Sequence, residues 1–229
     1  MRSLVKLIED KNCYFSQEQR KILVNLFKNE TIRINFFLTG GTALSVFHLH
    51  HRKSNDIDLF TIHKPEFHEI EYSLKNYWKR GLVRLKLAPY ILSVDINEIK
   101  VDLVHDPLSF DDKKVVHQLE GDNAITVDSL INIVSNKLCT LVSRQEPKDF
   151  IDFYFISKMK LLDFDSIYNG AQKKEGMFDD PPMVAYQVEY NLNEVKQNPF
   201  AFPEMVVDFD MNEFYTFYED LIQKIYHRK

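Results

Sequence analysis

Two aspartates one residue apart, Asp56 and Asp58, have the spacing in this sequence that points most directly to chemistry. They stand in the segment NDIDLFTI, whose alternation predicts a strand over Asp56–Ile62. Residues i and i+2 of a strand point to the same face, so the two carboxylates would repel each other and need a compensating cation. Carboxylate oxygens are ligands that Mg²⁺ prefers. The pattern therefore predicts a divalent metal site, although an acidic turn or an exposed strand edge would produce the same letters.

A third carboxylate, Asp102, lies between two apolar residues in the segment KVDLV. If this strand pairs beside the one that carries Asp56 and Asp58, the three carboxylates come together. Three carboxylates on two adjacent strands can hold two metal ions about 4 Å apart, which aligns the attacking and leaving oxygens of an in-line displacement at phosphorus. The sequence therefore predicts metal-assisted chemistry on a phosphate.

The pair Gly40-Gly41 stands between a predicted strand, Ile32–Leu38, and a predicted helix through ALSVFHLH that Thr42 would cap. Glycine lets backbone N–H groups approach a phosphate closely, because no Cβ is in the way. A tight turn between strand and helix would also use two glycines. Together with the acidic strand, however, the pair favours a site in which one element holds a triphosphate and the other holds its metals.

The surrounding pattern predicts an α+β protein with two domains. Residues 1–125 are expected to form an α/β unit on a mixed sheet with N-terminal helices, including a hairpin that turns at Asn97-Glu98. Residues 126–229, where helical spacing dominates, are expected to form an all-helical domain that completes the active-site cleft.

Composition restricts the partners. The formal net charge is −5, so contact with a nucleic acid would need a local basic patch or a metal ion. The two cysteines do not form a disulfide framework, which favours a reducing cytoplasm, and no apolar run reaches the roughly 20 residues that cross a bilayer. The histidines of HLHH suggest zinc, but no Cys or His pair at ligand spacing accompanies them, so we interpret them as a helix end.

Two segments resemble the AbiEii-type nucleotidyltransferases, the toxin halves of abortive-infection and toxin–antitoxin pairs. The first is LTGGTALSVFHLHHRKSNDIDLF, in which the matching residues are Gly40, Gly41, Thr42, Ala43, Leu44, Arg52, Ser54, Asp56 and Asp58. The second is VDSLINIVSNKLCTLVSRQEPKDFIDFYFI, with Lys137, Arg144, Lys148, Asp149 and Asp152. Residues 160–229 carry no motif of this kind.

The resemblance implies a nucleotidyltransferase fold and a transfer of NMP from an NTP to an acceptor hydroxyl. It implies that Asp56, Asp58 and Asp102 bind Mg²⁺ (or Mn²⁺), with Asp102 also drawing the proton from the acceptor. Lys137 would stabilise charge in the transition state. The nucleotide would be bound by Gly40, Gly41, Thr42, Arg52, Ser54, Lys148, Asp149 and Asp152. Arg52 and Ser54 could instead brace the loop, and Lys137, Lys148 and Asp149 could form ordinary ion pairs on a helix surface.

The implied partners are tRNA or a protein as acceptor and an antitoxin from a neighbouring gene. Three alternatives remain open. A metal-dependent nuclease would use Asp95, Glu98 and Lys100, but it leaves Asp56 and Asp58 unexplained. A non-catalytic module on the same fold would bind RNA or protein, and a γ-phosphoryl transferase would use the same metals and glycines.

Overall fold

The structure is a computed structural model that describes residues 7–110, 114–118, 124–198 and 201–228. The chain divides into two compact units, Met1–Ser129 and Leu130–Lys229. The first contains the strands and the second is helical.

Within the described part of the first unit, seven strands form one mixed sheet in the order β3-β4-β5-β2-β1-β7-β6. Their bounds are β1 Phe37–Thr39, β2 Ile57–Thr61, β3 Leu82–Ala88, β4 Ile91–Ile96, β5 Ile99–His105, β6 Val115–Gln118 and β7 Ala124–Val127. The central pairs are β1 with β2, which is antiparallel, and β2 with β5, which is parallel. The expected mixed sheet is confirmed, but β6 and β7 lie in a segment where the sequence predicted no strands.

The helices of the first unit are α1 Gln17–Leu26, α2 Glu30–Asn35, α3 Gly40–Ala43 and α4 Phe67–Trp78. A π-helical segment, Leu44–Leu49, continues α3 and ends at His50 in the left-handed region. The hairpin between β4 and β5 is confirmed: Asn97 and Glu98 both have positive φ, as a tight two-residue turn with strand-matching twist requires.

The predicted strand Ile32–Leu38 is wrong over its first half. Asn29 caps α2 by accepting a hydrogen bond from the backbone N–H of Ile32 at 3.2 Å, and only Ile32 of that helix is buried. Extended backbone begins at Phe36, the C-cap of α2, and continues into β1, where all three residues are buried. An apolar run of this length fits a helix or a strand equally well, and here the Asn cap decided the outcome.

The predicted capping role of Thr42 is also wrong. The residue at the N-cap of α3 is Thr39, which makes no capping hydrogen bond with its side chain, and Thr42 lies inside the helix. The Thr42 hydroxyl is used elsewhere, as described below.

The second unit contains α5 Leu130–Ser143, α6 Pro147–Met159, α7 Phe164–Gln172, α8 Pro181–Lys196 and α9 Met211–Tyr226. Part of its interior is aromatic: the ring of Tyr154 contacts that of Phe214, and the Tyr218 hydroxyl donates to the carbonyl of Phe150 at 2.6 Å. Helix α7, which Asp163 caps, was not predicted. In the described ranges no helix has the length and apolar character to cross a membrane.

Candidate active site

The sheet places Asp58 and Asp102 side by side. Strands β2 and β5 pair in parallel with Asp58 opposite Asp102 in the register, so their backbones are separated by one strand spacing, about 4.8 Å. Both side chains are half-buried, while the residues before and after each of them are fully buried. The alternation places both carboxylates on the face away from that apolar layer. The expected pairing of these strands is confirmed.

Asp102 is held by two side chains from the neighbouring part of the sheet. Ser93 Oγ donates to Asp102 Oδ1 at 2.5 Å, and Lys100 Nζ donates to Asp102 Oδ2 at 2.6 Å. Partial burial opposes the charge of Lys100, but the hydrogen bond to Asp102 and the negative charges of Asp102, Asp56 and Asp58 outweigh it and raise the pKa of Lys100. Lys100 therefore lies in the combined field of all three carboxylates.

The first glycine of the pair lies directly against Asp58. Gly40 follows Thr39, whose backbone pairs with Asp58 in the antiparallel β1–β2 ladder. Gly40 has a φ of +66°, and a Cβ at this position would lie 2.2 Å from Asp58 Oδ2. Both the backbone conformation and the space therefore require glycine here.

Two buried side chains hold the backbone where it enters β2. The Thr42 hydroxyl donates to the carbonyl of Asp56, and Gln19 Nε2 on α1 donates to the same carbonyl at 3.2 Å. Thr42 and Gln19 are fully buried. This contact explains the location of Asp56, and the sequence contained no signal for the role of Gln19.

Arg52 and Ser54 are also buried, behind the second glycine. A Cβ on Gly41 would lie 2.7 Å from Arg52 Nη2 and 3.0 Å from Ser54 Oγ. Ser54 Oγ lies 3.0 Å from Thr42 Oγ1, and Arg52 Nη1 donates to the carbonyl of Lys53 at 2.8 Å. These contacts favour the bracing interpretation of Arg52 and Ser54.

Asp128, a buried aspartate that sequence analysis missed, forms hydrogen bonds with the end of β1, directly before the glycines. Asp128 accepts from Thr39 Oγ1 at 2.7 Å and from Lys114 Nζ at 2.7 Å, and its backbone N–H donates to the carbonyl of Leu38 at 2.8 Å. It lies just after β7, so only the pairing of β7 with β1 brings it to this position.

In the helical unit, the side chains of the second motif form a buried ion cluster. Lys137 Nζ on α5 lies 2.7 Å from Asp149 Oδ1 and 2.5 Å from Asp152 Oδ2 on α6. Arg144 Nε donates to Asp149 Oδ2 at 2.5 Å. Lys137, Asp149 and Asp152 are all buried, so the interpretation as ordinary surface ion pairs is wrong for Lys137 and Asp149. Lys148 lies in the first turn of α6 and is half-buried.

Charge dominates this cluster. Burial opposes the ionisation of Asp149, but the charges of Lys137 and Arg144 and their hydrogen bonds outweigh it and hold the pKa of Asp149 below its usual range. Burial, with the negative charges of Asp152 and Asp149, raises the pKa of Tyr218 well above its usual value. The cluster therefore keeps the carboxylate of Asp149 ionised beside Lys137 and Arg144.

The residues of the nuclease alternative are used in the hairpin. Asp95 Oδ1 accepts the backbone N–H of Glu98 at 2.9 Å, and Glu98 occupies the turn itself with a φ of +68°. Lys100 is directed to Asp102 rather than to Asp95.

The carboxylates of Asp56, Asp58 and Asp102 lie near one another but do not form a compact set of metal ligands. Among the described residues, the only His, Cys, Asp or Glu side chains found with three ligand atoms all within 4.8 Å of one another are Asp10, Cys13 and His50. The Asp102 carboxylate instead accepts hydrogen bonds from Ser93 and Lys100. The donor set of Asp56, Asp58 and Asp102 nonetheless consists of hard oxygens in the chemistry that Mg²⁺ accepts.

Comparisons with known proteins agree with this fold. The chain is similar to MenT4, a nucleotidyltransferase toxin from Mycobacterium tuberculosis H37Rv, with 13% identity, a TM-score of 0.53, and coverage of 91% of this chain and 80% of that chain. It also matches JHP933 from Helicobacter pylori with 16% identity and a TM-score of 0.48, over 91% of this chain and 89% of that one. No curated protein matches the sequence.

The sequence itself matches a family model described as "Nucleotidyl transferase AbiEii toxin, Type IV TA system" over residues 21–200. This range includes the glycine pair, the three aspartates and the ion cluster of the helical unit. A match over most of the chain shows the family and confirms the resemblance that the two motifs indicated. The chain therefore belongs to the AbiEii nucleotidyltransferase toxin family and is a nucleotidyltransferase.

Proposed function

We propose that this protein is a metal-dependent toxin that transfers NMP from an NTP to an acceptor hydroxyl and releases pyrophosphate. The observation that carries the proposal is the register pair Asp58–Asp102, which adjoins Gly40. Two carboxylates on one sheet face beside a turn of two glycines can serve both the metals and the phosphates of one nucleotide.

The electrostatics support a cation at this site. Lys100 is exposed and its charge is attracted by all three carboxylates, so a positive charge is favoured there before any metal arrives. Asp56, Asp58 and Asp102 would hold Mg²⁺ (or Mn²⁺). When bound, the metal would neutralise phosphate charge and align the attacking and leaving oxygens.

The protein's own groups have separate tasks. Asp102 accepts the proton of the acceptor hydroxyl, and Ser93 fixes its orientation through Oδ1. Lys100 is long and exposed, so it can move away from Oδ2 when substrate arrives. The backbone N–H groups of Gly40 and Gly41 hold the phosphates, while Thr42, Arg52 and Ser54 keep the turn and Asp56 in place.

The helical unit is proposed to complete the cleft, a prediction that rests on the family resemblance. Lys137 would offset negative charge in the transition state. Asp149 and Asp152 lie on α6 and form ion pairs with Lys137. They would fix the position of its ammonium group rather than bind nucleotide themselves. Lys148, at the start of the same helix, remains a proposed nucleotide contact.

The proposed acceptor is tRNA, and a protein hydroxyl is the alternative. The activity would be neutralised by an antitoxin, as in the type IV system that the family name describes. Because the net charge is −5, an RNA acceptor would have to be bound through the metal site or a local basic surface.

The experiment is incubation of the protein with one α-labelled NTP at a time, Mg²⁺, and total cellular RNA and protein. Label that appears on RNA or protein only with Mg²⁺, and not with the variant Asp58→Asn, supports the proposal and identifies the acceptor. A parallel incubation uses γ-labelled NTP. Label that is transferred only in this second incubation would show phosphoryl transfer instead. Growth arrest by an Asp56→Ala, Asp58→Ala double variant would show that toxicity does not need catalysis.

A further inference from the structure

Three side chains of different chemistry, none of them assigned to the proposed nucleotide site, meet in the first unit. The ligand atoms of Asp10, Cys13 and His50 all lie within 4.8 Å of one another. Cys13 is completely buried, and Asp10 and His50 are half-buried. The set combines a thiol, an imidazole and a carboxylate, the three ligand types that bind zinc in proteins.

A second observation points to a missing ligand. Nδ1 of His50 is buried and has no hydrogen-bond partner among the described residues. Buried polar atoms without a partner are rare in folded proteins, because each costs about 1–3 kcal/mol. A metal ion bound through Nδ1 would give this nitrogen a partner.

The local backbone holds the three residues in place independently of any ion. Asp10 caps a short 3₁₀ turn, accepting from the N–H of Asn12 at 2.9 Å, and this turn presents Cys13. His50 ends the π-helical segment in the left-handed region, with its N–H bound to the carbonyl of Ser45 at 3.0 Å. The backbone N–H of Asp10 donates to the carbonyl of Val46 at 2.9 Å, which joins the two segments.

We infer that Asp10, Cys13 and His50 form a Zn²⁺ site that ties the N-terminal segment to the end of the helix after the glycine pair. Two zinc ligands at bond lengths of about 2.0–2.3 Å in tetrahedral geometry lie about 3.5 Å apart, so only a small closure of the set is needed. Mg²⁺ is not the metal here, since it does not take thiolate or imidazole readily. Three protein ligands leave the fourth position to water.

The site would stabilise the neighbourhood of the nucleotide turn. The carbonyl of Cys13 accepts the N–H of Ser54 at 3.0 Å, and the N–H of Phe15 donates to the carbonyl of Ser54 at 3.2 Å. Ser54 lies against Gly41. Zinc on Cys13 and His50 would therefore fasten both ends of the loop that carries Arg52 and Ser54. This role is independent of the proposed reaction.

The test uses the full chain without a histidine tag, stripped of metal and kept reduced. Titration with Co²⁺ should give a thiolate-to-cobalt charge-transfer band that saturates at one equivalent and disappears when Zn²⁺ is added. The band should be absent from Cys13→Ser and present in Cys139→Ser, which changes the other cysteine of the chain. It should also persist in the Asp58→Asn variant, because that change affects only the Mg²⁺ site.

A second variant protects the test against misfolding of Cys13→Ser. Asn tolerates the left-handed backbone of His50, so His50→Asn should fold, as circular dichroism can verify. Residues that only hydrogen-bond to a metal ligand already contribute about 10–100-fold to metal affinity. Loss of His50, which would bind the metal directly, should therefore weaken Zn²⁺ binding at least about 10-fold. It should also abolish the rise in melting temperature that Zn²⁺ gives the unmodified protein. Unchanged Zn²⁺ affinity in folded His50→Asn, or no thiolate band in the unmodified protein, would overturn the inference.

Discussion

Gly40 and Asp58 are in such close contact that a methyl group on the glycine would lie 2.2 Å from the aspartate Oδ2. Gly40 begins α3 directly after β1, Asp58 lies on β2, and the antiparallel β1–β2 ladder brings the two residues together. The carboxylate that is expected to bind metal and the turn that is expected to bind phosphate are therefore one structural unit. A change in either residue should affect the other.

Replacement of Gly40 by alanine should destabilise the protein. The left-handed backbone costs a side chain about 1–2 kcal/mol, and displacement of the Asp58 carboxylate adds about 1–3 kcal/mol of overpacking. Chemical denaturation would measure the loss. Gly176→Ala is the matched control, since a Cβ there meets nothing within 4 Å and should change stability little.

The contact itself can be isolated by combining Gly40→Ala with Asp58→Ala. Because the shortened side chain leaves room for the methyl group, Gly40→Ala should cost less in the Asp58→Ala background than in the unmodified protein. Equal costs in the two backgrounds would contradict the close contact.

Asp58→Asn and Asp102→Asn should each reduce label transfer from an α-labelled NTP at least about 100-fold, because each removes a proposed metal ligand. The control is Asp95→Asn on neighbouring β4, whose carboxylate serves the hairpin turn. A selective loss in Asp95→Asn, together with nicking of plasmid DNA by the unmodified protein, would instead favour the nuclease hypothesis.

Lys100→Met should lower the Mg²⁺ concentration at which activity is half-maximal. The lysine ammonium lies 2.6 Å from Asp102 and competes with the metal for the same negative field. A unit charge about 4–6 Å from an ion in a water-like medium contributes about 1 kcal/mol, which predicts a shift of a few-fold. Lys86→Met on the exposed part of β3 is the control. An increase in the Mg²⁺ requirement of Lys100→Met would show that the lysine supports the metal site rather than competing with it.

Lys137→Met should destabilise the protein by about 3–5 kcal/mol, because it removes a buried ammonium group from between two buried carboxylates, of which Asp149 keeps its pair with Arg144. Lys158→Met, which breaks a partly exposed pair with Glu213, should cost less than about 1 kcal/mol. Adding Asp152→Asn to Lys137→Met should recover part of the loss. Similar costs for the two lysines, measured by denaturant unfolding, would contradict the buried character of the cluster.

The same cluster should make stability depend on acid. The pKa of Asp149 is lower in the folded protein than its ordinary value of about 3.9, so the unfolded chain binds a proton first. Its contribution is therefore present above about pH 4 and is lost as the pH falls towards the lower folded value. Thermal unfolding across this window should show a steeper loss for the unmodified protein than for Asp149→Asn. Parallel curves would mean that other carboxylates govern the acid transition.

Much of the local structure was predictable because it depends on neighbours in sequence. The helical periods of α5, α6, α8 and α9, the turn at Asn97-Glu98 and the alternation around Asp58 each follow from residues a few positions apart. The residues Ile32–Asn35 were wrongly predicted as a strand, because their apolar side chains suit either backbone and the Asn cap of α2 was overlooked. Strand β7, too short to give a periodic signal, was missed.

By itself, the sequence determined which chemical groups the protein carries. They are the two flexible glycines at 40–41, the two carboxylates of Asp56 and Asp58, and the pair Asp149 and Asp152 that follows the helix with Lys137. Tertiary structure decided which of these groups meet. Only strand pairing puts Asp102 beside Asp58 and brings Asp128 within hydrogen-bond distance of Thr39. Only helix packing buries Lys137 between two aspartates. The physical reason is that contact between distant residues depends on register and burial. These are set by how all the apolar faces pack together, and no local spacing encodes them.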